Sequence, residues 1–154
     1  MEKKDIPKKA ADVAKQICKD DTHGYNNKSG LRLGNPDYAC SSFVAACYIK
    51  AGVKVPANAY TATMKRDFKA LGFVDVAAKV NLHTGAGLKV GDVLIAPGKH
   101  TEIVVDSSHR LAGARGNPRT GAANGKPGDQ TGREISIRNY YDDGWTQCLR
   151  LTST

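Results

Sequence analysis

Long apolar runs are missing from this chain of 154 residues. None approaches the roughly 20 residues that a membrane-crossing helix needs. The opening stretch, Met1 to Pro7, carries charge with no apolar segment behind it, so no secretory signal peptide is expected. Low-complexity tracts and internal repeats are also missing, which argues against a disordered or solenoid chain. Cysteines are few, at positions 18, 40, 47 and 148. They form no Cys-x-x-Cys pair and no Cys/His cluster at zinc-ligand spacing, so they mark no zinc site. On one helix, Cys40 and Cys47 would lie about 10 Å apart along the axis, beyond the roughly 7 Å that a disulfide spans. A Cys18–Cys148 bridge stays open, and a reduced chain is the simpler expectation.

What the chain does have is positive charge. Lys and Arg number 23 against 15 Asp and Glu, a formal net charge of +8. Such a surface favours an anionic partner: nucleic acid, a membrane surface or a wall carrying acidic polymers. The densest group, Lys3, Lys4, Lys8 and Lys9, is no arginine-rich arm, and basic and aromatic residues do not interleave. Nucleic acid is therefore not expected as a partner.

The length fits one domain with a real core. Ile6 to Asp20 reads as a helix, with Pro7 in its opening turn and Val13 and Ile17 facing inward. Residues 21–38 are rich in turn formers and read as a long surface loop of the kind that serves a site. Helical spacing returns from Ala39 to Ala51, ended by Gly52 and with Asp37 placed to cap its start. A further helix is expected over Thr61 to Leu71. Beyond it come short strand candidates: Val90 to Ala96, Thr101 to Asp106, Arg110 to Ala114, Glu134 to Arg138 and Gln147 to Leu151. Gly113 to Gly132 reads as another long loop. Helices first and an antiparallel sheet after them make an α+β domain.

Chemistry concentrates in two places. Cys40 stands in the first turn of the second helix, where unpaired N–H groups and the helix dipole favour an anion and so a thiolate. The same N–H groups can stabilise an oxyanion formed when a thiolate attacks an amide carbonyl. His100 opens a strand, from which its imidazole could serve as the base. Taken singly, a helix cysteine is usually a small buried apolar residue, which is how Cys47 reads, and a strand histidine is usually structural. Asp92 reads as a turn cap, Asp129 as a loop stabiliser, and His83 as a residue of a polar loop.

The run Asp37-Tyr-Ala-Cys-Ser-Ser-Phe-Val-Ala-Ala-Cys-Tyr-Ile-Lys-Ala-Gly-Val resembles the nucleophile helix of NlpC-type papain-like cell-wall hydrolases. Gly87-Leu-Lys-Val-Gly-Asp-Val-Leu with His100-Thr resembles their strand pair. His23-Gly-Tyr-Asn, Arg32-Leu-Gly, Tyr60-Thr-Ala-Thr-Met, Gly128-Asp-Gln-Thr-Gly-Arg-Glu and Trp145 to Leu151 fit the bacteriophage endolysin branch of that superfamily. The resemblance covers roughly residues 20 to 151. It implies a single papain-like domain with Cys40 as nucleophile, His100 as general base and Asn117 as the best candidate to orient the imidazole. His109 is a weaker candidate for that place. Tyr25, Tyr38 and Ser41 are the implied substrate contacts.

The implied activity is hydrolysis of a peptidoglycan amide bond through a thioester, as an endopeptidase or as an N-acetylmuramoyl-L-alanine amidase, with neither a metal nor an organic cofactor. A monomer acting on the wall from outside the cell is implied, released by lysis, a holin or another non-signal route, with anionic wall polymers as a further partner. Two positions depart from the pattern. Ala39 stands where relatives usually carry Asp, and the strand after His100 offers only Leu111, Ala112, Gly113 and Ala114 where they place a polar group. These departures keep a catalytically silent wall-binding domain open as the alternative.

Overall fold

The helix that carries Cys40 is apolar on almost every side, and a helix of that kind belongs in the middle of a structure. In the computed structural model, which describes residues 3–19, 38–115 and 135–152, that is where it lies. Helix α2, Cys40–Lys50, buries Phe43, Val44, Ala45, Cys47 and Tyr48. Helix α1, Ile6–Lys19, turns Ala10, Ala11, Ala14 and Ile17 inward. The three small alanine side chains let it lie directly against α2. Helix α3, Thr61–Lys69, presents Met64 and Phe68 to the same core. The four cysteines are free thiols. No helix among the described residues is long and apolar enough to cross a membrane.

Six strands follow the helices: β1 Phe73–Asp75, β2 Val93–Ala96, β3 His100–Val104, β4 Leu111–Ala114, β5 Ile135–Arg138 and β6 Gln147–Leu151. They form one antiparallel sheet in the order β1-β6-β2-β3-β4-β5. The α+β class and the order of helices before sheet agree with the sequence. Strand β1 was not anticipated; it is three residues long and exists through its ladder to β6, from Phe73 opposite Leu151 to Asp75 opposite Leu149.

Strand β2 begins three residues later than its apolar run suggests, because Val90 to Asp92 make a turn. Gly91 there has φ +91°, and a Cβ on it would fall 2.4 Å from that of Pro7. Tyr48, buried in α2, donates its hydroxyl to the Gly91 carbonyl at 2.5 Å. The turn is thereby tied to both N-terminal helices.

Side chains alternate along β3 and divide between two layers. Ile103 and the following Val105 join the main core beneath α1 and α2. Val104 belongs instead to a smaller cluster on the opposite face, with Leu94, Leu111 and Trp145. His100 and Glu102 share the face of Val104, so they lie on the side covered by the 139–146 segment.

Candidate functional site

The start of α2 is built without an acidic cap. Ala39 is extended, at φ −91° and ψ 171°, and its N–H donates to Ser42 Oγ at 2.9 Å. Asp37, expected to cap this turn, lies outside the described residues; Ser42 closes it from within the helix. Ser41 Oγ donates to the Ala59 carbonyl at 2.5 Å, tying the helix start to the segment that leads into α3. These two serines hold Cys40, half-buried, at the mouth of a cavity of about 280 Å³. Ser41, Tyr60, Thr61, Gly98 and Lys99 also line that cavity. Its far wall is the turn between β2 and β3, where the Gly98 N–H donates to Thr61 Oγ1 at 2.9 Å. Lys99 is drawn aside by Asp143, donating to its carbonyl at 2.9 Å and pairing with its carboxylate at 3.1 Å.

His100 follows that turn at once, and its imidazole is hydrogen-bonded to the Cys40 side chain. The ring is mostly buried, with 13% of the side chain exposed. It stacks on Trp145 at 6.0 Å between centroids and 30° between planes. Nε2 donates to Glu102 Oε2 at 2.5 Å, which leaves Nδ1 as the nitrogen available to the thiol. Burial works against the charged ring, but the hydrogen bonds to Cys40 and Glu102 and the Glu102 charge outweigh it. They lift the His100 pKa to about 9.

Behind the imidazole lies a polar chain. Glu102 has no exposed surface, and its Oε1 accepts from Arg115 Nη2. Arg115, itself buried, donates from Nη1 to Ser136 Oγ at 2.8 Å and to the Ser136 carbonyl at 3.3 Å. Its guanidinium also lies 5.8 Å over the ring of Tyr141. Trp145 donates to the Tyr141 carbonyl at 2.9 Å, fixing the segment that covers the chain.

Of the residues singled out in the sequence, Cys40 and His100 are brought together, and Ser41 lines the same cavity with its hydroxyl spent on Ala59. Tyr38 is buried in the main core, edge-on to Phe43 at 5.9 Å, and is not among the cavity-lining residues. Tyr25, Asn117 and Asp129 lie outside the described residues. His109 sits in a turn at φ 63°, His83 pairs with Asp142 at 2.8 Å, and Asp92 accepts from the Lys89 N–H at 2.8 Å. No three His, Cys, Asp or Glu side chains among the described residues come together as a metal site.

Glu102, Arg115 and Trp145 were not anticipated as neighbours of the base. The signal for Glu102 was present: residues i and i+2 of a strand share a face, so it had to lie on the same side as His100.

Comparison of the sequence with curated proteins brings out no match. The family model described as an endolysin-like domain matches residues 33–111 and 112–154, which is most of the chain and includes every element from α2 to β6. The match points to a role at the cell wall, with peptidoglycan as the implied substrate. On that match, the chain belongs to the endolysin-like domain family.

Proposed function

We propose that this chain is a cysteine hydrolase of papain-like, NlpC-type design that cleaves an amide bond in the peptide stem of peptidoglycan. The observation that carries the reading is the Cys40 side chain, in the first turn of α2, hydrogen-bonded to His100 at a surface cavity. Family membership supplies the substrate class.

In this reading Cys40 and His100 form a thiolate–imidazolium pair, favoured by the high pKa of the ring. The thiolate attacks the amide carbonyl, and N–H groups at the start of α2 stabilise the oxyanion. The carbon–nitrogen bond then breaks, and the leaving amine takes its proton from His100. A thioester remains on Cys40. Neutral His100 next removes a proton from water, whose oxygen attacks the thioester; the acid leaves and the thiolate is restored. The basic surface, at +8, draws the domain toward anionic wall polymers, an attraction that salt weakens. Ala39 has no side-chain acceptor for the first N–H groups of α2, the place an aspartate would take; Ser42 instead accepts from the N–H of Ala39 itself.

Rapid alkylation tests the nucleophile. Iodoacetamide at neutral pH is expected to modify Cys40 well ahead of Cys47 and Cys148, which are buried, and the same modification should abolish hydrolysis. Equal labelling of all four cysteines, or hydrolysis that survives labelling of Cys40, would remove Cys40 from the reaction and favour the silent wall-binding alternative.

A further inference from the structure

Glu102 is charged, wholly buried and placed mid-strand, so its partners define its use. A carboxylate kept only for stability would be satisfied by an arginine and the backbone. Glu102 divides its oxygens differently: Oε1 accepts from Arg115 and Oε2 from His100 Nε2. The room it occupies is created by the facing strand. The β3–β4 register pairs Ile103 with Ala112 and Val104 with Leu111, and one step further sets Glu102 against Gly113. A Cβ at Gly113 would fall 1.8 Å from Glu102 Oε2 and 2.3 Å from its Cδ. Position 113 is also diagonal to His100 across the two strands, close enough for a side chain there to reach the ring. The chain leaves that position empty of side chain and sends an acid into the space from the histidine's own strand.

We infer that Glu102 is the positioning residue of His100, seated in the gap that Gly113 leaves and held there by Arg115. The inference rests on the reading of Cys40 and His100 as nucleophile and base, and it gives Glu102 the orienting role for which the sequence offered Asn117. Glu102 does not touch substrate; it acts through the imidazole. Its hydrogen bond fixes the proton on Nε2, turns Nδ1 toward the thiol and stabilises the imidazolium. The groups that face the ring are Cys40 from α2, Glu102 from β3 and Trp145 from the covering segment, with Arg115 and Tyr141 behind Glu102. Trp145, packed on the ring, keeps water from the bond.

The test is the titration of the His100 ring, followed by nuclear magnetic resonance in the whole chain, beside kcat and KM. Glu102→Gln keeps size and an acceptor while losing the charge, and circular dichroism reports whether the fold survives. In the parent protein the ring should titrate near 9; in Glu102→Gln it should titrate between about 6 and 8. The same variant should lose at least about 10-fold in kcat with KM nearly unchanged.

Gly113→Ala leaves the acid in the sequence but drives it from its seat, so it should lower the titration point as well; it carries the test if Glu102→Gln does not fold. Parent-like titration and kcat in both variants would overturn the inference. Loss of the titration shift in a protein that does not cut peptidoglycan would uphold the positioning role and reject the substrate. Hydrolysis with an unmoved titration would do the reverse.

Discussion

Two buried carboxylates among the described residues each pair with an arginine, and their other partners differ. Asp92 is 1% exposed and accepts from Arg150 through both oxygens, at 2.9 and 2.8 Å. It also accepts from the Lys89 N–H and meets the Cys148 thiol of β6, so its contacts close a turn and tie that turn to β6. Glu102 gives one oxygen to Arg115 and the other to His100. The first carboxylate fastens backbone; the second reaches a titratable ring beside a thiol. A buried ion pair is therefore no sign of a site until the contacts beyond the arginine have been followed.

The sharpest way to break the comparison is to remove each acid. Glu102→Ala and Asp92→Ala should each destabilise the fold by about 3–5 kcal/mol, since each strands an arginine in a largely buried place; urea denaturation measures this. Only Glu102→Ala should also cost at least about 100-fold in turnover per folded molecule. Equal turnover in the two variants would mean that both carboxylates are merely structural.

The glycines make a second pair. Gly113→Ala should impair turnover by displacing Glu102, whereas Gly91→Ala should leave turnover intact. The latter is expected to lower stability by about 1–3 kcal/mol through its clash with Pro7 and its positive φ. Thermal denaturation beside a turnover assay separates the two effects.

A third contrast is in pH. His100 has a folded-state pKa raised from 6.5 to about 9, so its charge stabilises the folded protein fully below about pH 6.5. That stabilisation is lost as pH rises through 9, with an upper limit of about 3 kcal/mol. Melting temperatures across that window should fall in the parent protein and flatten in His100→Asn. The activity should decline over the same alkaline range, as the imidazolium that protonates the leaving amine disappears.

The smallest effect is expected at an exposed pair. Lys8 and Asp12 meet at 3.2 Å on the solvent side of α1, and Lys8→Ala should shift stability by no more than about 0.5 kcal/mol.

How legible these features were in the sequence follows from the range over which each is determined. The helices were readable to within a few residues because apolar spacing and Gly52 act locally. Cys40 and His100 were singled out by the resemblance of their flanking motifs to a nucleophile helix and its strand pair, since each taken singly reads as an ordinary structural residue. Strand β1 was not, since Phe73-Val-Asp carries almost no pattern and depends on β6, more than seventy residues away. Glu102 was missed for a different reason. A charged residue in a strand reads as solvent-facing, and only the cross-strand register shows that Gly113 opens a buried space for it. The lack of a polar residue on β4 was itself the clue, being the complement of the acid on β3.

The most direct measurement is the mass spectrum of fragments released from purified peptidoglycan by this chain and by Cys40→Ala. Soluble fragments carrying a new amine and a new carboxyl end, released by the parent protein and absent with Cys40→Ala, are the predicted result, and their masses identify the bond. Sacculi of several wall types left whole by both proteins, or fragments released equally by both, would contradict the account.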